Sequence, residues 1–287
     1  VRVNERHGDG ALRILFPYVG QGDAAVVMLP RGGIMVVDAG GSHHARDWDP
    51  GRNALAPLLR KLGVRSIDLA VVSHPHPDHL NGFTYLAQHF AIRELWWNGE
   101  GEVVPVQAEL NARVREQGGR VRLAAELPIF TDREGVTVAV LHPRPGAAGE
   151  GLPYYPALSE NDNSVVLELS HRGRSLLLSG DIEREAEAML AARLGGVDVL
   201  KSPHHGSNTS STPALLQALA PAAVIISCGE DNQYGVPHAD VLARYREYRI
   251  HVLRTDVDGM ITLLASGGAW AVRRERFPTV DSLAPRR

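Results

Sequence analysis

A single cysteine, Cys228, in 287 residues excludes an internal disulfide framework and any cysteine-rich zinc site. It lies in the apolar run 222–228 and reads as a buried strand residue rather than a nucleophile. No apolar run approaches the ~20 residues that a bilayer-spanning helix needs. A marked excess of either charge is lacking as well. With 30 basic and 33 acidic residues the formal net charge is −3, so no global field draws the chain to nucleic acid or anionic lipid. A nucleic-acid substrate would depend on a local basic patch and on metal ions. The chain opens at Val1, with neither Met nor a signal-peptide pattern, as fits a processed protein or a domain of something longer.

What is present is an ordinary globular composition, 44% hydrophobic and 22% charged, enough for one large domain or two small ones. Strand-like runs occur at 11–16, 24–29 and 34–37, with Gly32-Gly33 as a hairpin turn. Leucines at 55, 58, 59 and 62 predict a helix over 53–62, closed by Gly63. Further strands are predicted at 67–73, 94–97, 135–141, 164–169, 175–178, 197–201, 223–227, 251–254, 260–264 and 269–272. Helices are predicted at 80–90, 107–117, 182–194, 213–219 and 239–248, and a long loop at 142–161. Thr255-Asp-Val-Asp-Gly259 opens like a calcium loop but lacks the later acidic ligands, so a strand-connecting turn is expected. With strands in both halves and no linker between them, the pattern predicts one α/β domain over 1–277. Its architecture is an αββα sandwich of two packed sheets with helices outside, and 278–287 form a disordered tail.

Chemistry concentrates in Ser73-His-Pro-His-Pro-Asp-His79, where four potential ligands follow an apolar strand within six residues. His74 and His76 can reach one ion; Asp78 and His79 can turn to a second as the chain bends into a helix. Pro75 and Pro77 stiffen the turn and lower the entropy lost on assembling the ligands. Asp38 ends a strand in the glycine turn 38–41, Asp181 ends another, and His205 sits in Pro203-His-His-Gly206. Alone, Asp38 would pass as a turn residue and Asp181 as a helix cap. Together with the histidine cluster they point to one site.

The cluster resembles the HxHxDH motif of the metallo-β-lactamase superfamily. That resemblance implies the four-layer fold and two divalent ions. His74 and His76 would hold one ion, and Asp78, His79 and His205 the other. Asp181 would bridge them, and Asp38 would orient the site from behind. The superfamily's further histidine, between the cluster and the bridging Asp, has no counterpart: His142 and His171 are badly placed, and 159–166 read Ser-Glu-Asn-Asp-Asn-Ser-Val-Val. A water or an amide oxygen would take the place, unless 161–164 simply form a turn.

The combination of 19–24, 37–40, 161–164, 178–181, 201–207, 209–211, 231–235 and 237–238 is similar to the soluble domain of the ComEC competence family, over roughly residues 11 to 265. The resemblance implies a nuclease that degrades the DNA strand left outside during uptake. Its partners would be single-stranded DNA and a membrane channel domain of a longer protein. It would use Mn²⁺ or Zn²⁺, need no small-molecule cofactor, and lie outside the cytoplasmic membrane. Beside the metal ligands, Asp78, His204 and His238 are catalytic candidates, with His204 or His238 as general acid or as a holder of phosphate oxygen. Asn161, Ser207, Asn208 and Thr209 are candidate substrate contacts. Hydrolysis of a smaller ester, a phosphorylcholine ester or a lactam, is one alternative. A DNA- or partner-binding domain with impaired catalysis is the other. Gly20-Gln-Gly-Asp23 lacks the Lys-Ser/Thr ending of a phosphate loop and is expected to be a tight turn near the site. His43 and His44 line the cleft or sit in an exposed loop. Trp96 and Trp97 stack bases or pack the core.

Overall fold

The computed structural model describes residues 10–41, 48–100, 104–144, 153–266, 268–276 and 280–283. Valine, isoleucine and leucine dominate the strands on both faces, as sheets buried on both sides require. From edge to edge, the nine strands of one sheet are Val280–Leu283, Ala269–Arg274, Ile261–Ser266, Arg13–Phe16, Ala24–Met28, Ile34–Ala39, Leu69–Val71, Glu94–Trp97 and Arg120–Leu123. A seven-stranded sheet runs His251–Arg254, Ala223–Ile226, Val199–Lys201, Arg174–Leu178, Val166–His171, Val136–His142 and Phe130–Arg133.

Strand alternation builds the layers. Ile14, Val27, Met35 and Val37 face Val138, Leu167, Leu176 and Ile225 across the space between the sheets. Their neighbours Leu15, Val26 and Val36 point the other way, against Leu59, Phe83, Leu86 and Leu110 of the outer helices. On the far side, Leu177, Leu200, Val224 and Ile226 pack on Ala186, Leu190, Leu215 and Tyr245. Each such side chain contributes about 1.5–3 kcal/mol by leaving water. The result is the expected helix–sheet–sheet–helix sandwich.

Local chemistry sets the turns. Arg172 and Gly173, both at positive φ, close the hairpin between Val166–His171 and Arg174–Leu178. Leu29 N–H donates to Gly33 O at 2.8 Å across the Gly32-Gly33 turn.

Several expectations need correction. Within the segment read as a disordered tail, Val280–Leu283 pairs antiparallel with Ala269–Arg274. Phe130–Arg133 and Arg120–Leu123 are strands that the pattern missed, because at the sheet edges their side chains alternate between exposed and half-buried. The helix predicted over 80–90 is broken into Pro77–Leu80 and Gly82–His89. Thr255–Asp258 is, as expected, a turn connecting two strands, one helical turn long. Trp96 is buried between the sheets and Trp97 under the outer helices, so neither is free to stack on a base.

The topology places the chemistry. Ile34–Ala39 and Leu69–Val71 run parallel in one sheet, and Arg174–Leu178 and Val199–Lys201 run parallel in the other. The segments carrying Asp38, His74–His79, Asp181 and His205 are all at the carboxyl ends of these strands, where open α/β sheets bind ligands. A backbone hydrogen bond from Val165 N–H to Ser73 O, 2.8 Å, joins the two sheets beside that edge.

Candidate metal centre

Asp78, His79, Asp181 and His205 bring one ligand atom each to within 4.8 Å of one another. His79 Nε2 lies 3.2 Å from Asp181 Oδ2, and His205 Nε2 is 3.2 Å from Asp78 Oδ2 and 3.4 Å from Asp181 Oδ2. The His79–Asp181 approach is close yet not aligned as a hydrogen bond, since Nε2 of His79 has no such partner among the described residues. Ligand atoms gathered around a cation have this arrangement.

Both imidazoles are held from behind. His79 Nδ1 donates to Asp38 Oδ2 at 2.9 Å, and the other Asp38 oxygen accepts Ser73 N–H at 2.8 Å. His205 Nδ1 donates to Ser227 O at 3.0 Å. With Nδ1 engaged from behind, each ring turns its Nε2 inward, the nitrogen that a metal would take once the proton has left. Asp38 has φ 55, His204 φ 47 and His205 φ 53. A left-handed backbone costs each non-glycine residue roughly 1–2 kcal/mol, and here it falls on residues that carry the site.

The electrostatics favour positive charge at this spot. Burial pushes His79 toward its neutral form, but Asp181, Asp38 and Asp78 hold its pKa well above the usual value. Burial acts likewise on His205, outweighed by Asp181 and Asp23. In return, and against burial, His205 and His79 pull Asp181 well below the usual carboxylate range. His74 is pushed well down, first by burial and then by His79, and is a neutral imidazole. Carboxylate oxygens and imidazole nitrogens facing one another in a buried space are a donor set suited to a divalent cation, whose charge can replace that of the protons.

Of the expected ligands, His74 and His76 fall outside this tight group. His74 packs beside His79 with ring centres 4.2 Å apart, and half-exposed His76 turns its Nε2 to Glu160 Oε2 at 2.7 Å. His204 stands over the group, Nε2 3.8 Å from Asp181 Oδ2 and Nδ1 3.1 Å from Glu183 Oε1. Thr209 Oγ1 is 3.4 Å from His204 Nδ1 and 2.9 Å from Ser207 Oγ, and Asn208 is exposed beside them. Asn161 Oδ1 is buried with no hydrogen-bond partner among the described residues. His238 instead caps the helix Ala239–Glu247, its Nδ1 accepting Asp240 N–H at 3.3 Å; its own N–H donates to Gly206 O. His142 donates to Asp162 O and His171 to Gly135 O, so neither supplies the missing ligand. Burial pushes the Cys228 thiol up to about 12, which fits an inert core residue. His43 and His44 lie outside the described residues.

The motif reading overlooked Asp23, Ser73 and Ser164. The glycine turn before Asp23 does lie against the site. At Gly22, φ is 140 and a Cβ would collide with Asp78 O. Glycine there lets Asp23 N–H donate to that same oxygen at 3.0 Å. Asp23 then reaches His205 Nδ1 at 3.3 Å and Lys201 Nζ at 2.7 Å. A signal existed: Lys201 ends the apolar strand Val199–Lys201 and needed a buried anion. Ser164 Oγ accepts Asp181 N–H at 3.0 Å and touches His74 Nδ1 at 3.3 Å, close to where the superfamily's absent imidazole was expected.

The sequence pattern of the metallo-beta-lactamase superfamily matches residues 17–230. The chain is 30% identical over 256 residues to ComE operon protein 3 of Bacillus subtilis (strain 168), covering 85% of this chain and 32% of that protein. It is 31% identical over 226 residues to Competence protein ComA of Neisseria gonorrhoeae, covering 77% of this chain and 29% of that one. It thus spans about a third of the length of these curated relatives. Among solved structures, CmlA, a diiron β-hydroxylase from Streptomyces venezuelae, superposes with a TM-score of 0.53 at 15% identity, over 88% of this chain and 53% of that one. That likeness is one of fold alone.

Proposed function

The chain belongs to the metallo-beta-lactamase superfamily, and on that premise we propose that it is a metal-dependent phosphodiesterase, a DNA nuclease acting on the strand left outside during DNA uptake. The observation that carries the hydrolytic reading is the convergence of Asp78, His79, Asp181 and His205, from three separate chain segments, within 4.8 Å. The names of the two curated relatives, one a competence protein, support the choice of DNA.

Asp78, His79, Asp181 and His205 would hold one divalent cation; His74 and His76 would hold a second, with Asp181 between them, as Mn²⁺ or Zn²⁺. Cations bound there supply the charge that polarises a phosphodiester and acidifies water. The chain's own groups do the rest. Asp38 and the Ser227 carbonyl fix the two buried imidazoles. His204, backed by Glu183, is the proton donor to the leaving oxygen. Ser207, Thr209 and the backbone around Asn208 receive phosphate oxygens, and Arg184, whose Nη2 donates to Asn208 O at 3.3 Å, adds positive charge at that rim. His238 serves as a helix cap at the same rim. The domain acts on the outer side of the cytoplasmic membrane, within a longer protein that carries a channel.

The test is direct. Purified chain with Mn²⁺, or with Zn²⁺, is incubated with end-labelled single-stranded DNA beside Asp181→Asn and His76→Ala. Cleavage by the unmodified chain alone is the expected result. Hydrolysis of a small phosphodiester without DNA cleavage would move the substrate class to smaller esters, and no hydrolysis of either would remove the enzymatic reading.

A further inference from the structure

We infer that Asp23 and Lys201 are a positioning pair: a buried ion pair between the two sheets that holds the two halves of the Asp78, His79, Asp181 and His205 group at a fixed spacing. The inference rests on the metal-binding reading above and adds to it the residues that set the geometry of the site.

The four ligands come from both sheets. Asp78 and His79 follow Leu69–Val71 of the nine-stranded sheet. Asp181 follows Arg174–Leu178, and His205 follows Val199–Lys201, in the seven-stranded one. The two halves meet at His205 Nε2, which lies 3.2 Å from Asp78 Oδ2 and 3.4 Å from Asp181 Oδ2. Two carboxylates so placed repel each other, and the repulsion works to spread the halves apart. A rigid tie between the sheets, close to the ligands, opposes that spreading.

Asp23 and Lys201 have the required placement. Asp23 directly precedes Ala24–Met28 of the nine-stranded sheet, Lys201 ends Val199–Lys201 of the other, and Lys201 Nζ donates to Asp23 Oδ2 at 2.7 Å. Each member then runs on to a ligand. Asp23 N–H donates to Asp78 O at 3.0 Å, and Asp23 Oδ1 is 3.3 Å from His205 Nδ1. Asp23 therefore touches one ligand from each sheet. Lys201 also donates to Ser202 O at 2.9 Å, which anchors the segment leading to His205.

Asp23, Asp38 and His79 also bring ligand atoms to within 4.8 Å of one another, behind the first group. Their atoms are committed to one another and to Lys201: His79 Nδ1 is 2.9 Å from Asp38 Oδ2, and Asp23 Oδ2 takes the ammonium. All four side chains are buried. The ammonium of Lys201 already supplies positive charge to this layer, and unlike a bound ion it does not leave with a chelator. The layer is thus a support for the metal ligands.

Calorimetric titration with Mn²⁺ alone, read beside circular dichroism and urea unfolding, tests this without reference to activity. The decisive variant joins Asp23→Asn with Lys201→Met, because it leaves no buried charge unpaired. It should fold, with the circular dichroism spectrum of the unmodified chain and a cooperative urea transition. Its affinity for Mn²⁺ should nevertheless be about 10- to 100-fold weaker, and the electron paramagnetic resonance spectrum of the bound Mn²⁺ should change. Asp23→Asn alone, which keeps the backbone bond to Asp78 O, should lose affinity in the same direction and serves as the readout if the double variant does not fold. A folded variant of either kind with unchanged Mn²⁺ affinity would overturn the inference and leave the metal-binding reading standing. An unmodified chain that takes up neither Mn²⁺ nor Zn²⁺ would overturn that reading and the inference with it.

Discussion

Lys201 Nζ lies 2.7 Å from Asp23 Oδ2, and the other oxygen of Asp23 is 3.3 Å from His205 Nδ1. All three side chains are buried. A full positive charge, a carboxylate and a candidate metal ligand thus form one line beneath the site, with Lys201 also donating to Ser202 O. Burial opposes the charge on Asp23, but Lys201, then His205, hold its pKa below the usual carboxylate range.

Lys201→Met should therefore be costly. The substitution keeps the volume but strands the Asp23 carboxylate, for a loss of about 3–5 kcal/mol read from the urea midpoint. Adding Asp23→Asn should recover part of it. An unchanged midpoint in the single variant would show that the pair contributes nothing.

Asp38→Asn probes the support of His79. Asparagine tolerates the φ of 55 found there. It withdraws the negative charge facing Nδ1, so Mn²⁺ affinity should fall about 10- to 100-fold while the circular dichroism spectrum stays the same.

His204→Gln should separate binding from chemistry. The residue contacts Asp181 only at 3.8 Å and is not part of the tight group. Metal uptake should persist while kcat drops by about 10²–10⁴-fold, and the limb of the pH–rate profile that reports a protonated acid should disappear.

Glu187 gives the fold a pH dependence. Its carboxylate is buried and accepts Thr212 N–H at 2.7 Å. Burial raises its pKa from 4.5 to about 7. A raised carboxyl pKa means that the folded state holds the proton longer than the unfolded one. This contribution to stability is complete below pH 4.5 and is lost as pH rises through about 7. Glu187→Gln should flatten that part of the stability–pH curve, measured by denaturant unfolding between pH 4 and pH 8. A slope equal to that of the unmodified chain would refute the assignment.

Much of this was legible in the residue order. Apolar runs such as 24–29, 67–73 and 223–227 marked strands because burial on both faces leaves no room for polar residues. The ligand-rich turn at 73–79 and the strand-ending Asp38, Asp181 and His205 announced a site through their residue types. Edge strands stayed hidden: Phe130–Arg133 needs only backbone pairing, so its side chains carry little pattern. Asp23 was hidden for another reason. Its partner Lys201 is 178 positions away, and an isolated aspartate after a glycine turn looks like any loop residue.

The order of residues alone determined which side chains could act as ligands and that two apolar sheets would carry them, because ligand chemistry and burial are properties of residue type. Only the tertiary structure decided how those ligands divide. It gathered Asp78, His79, Asp181 and His205, left His74 Nε2 without a hydrogen-bond partner among the described residues, and turned His76 to Glu160. The reason is that ligation depends on distances and directions between segments on different sheets. Those are set by packing across the sandwich, which no local stretch of chain encodes.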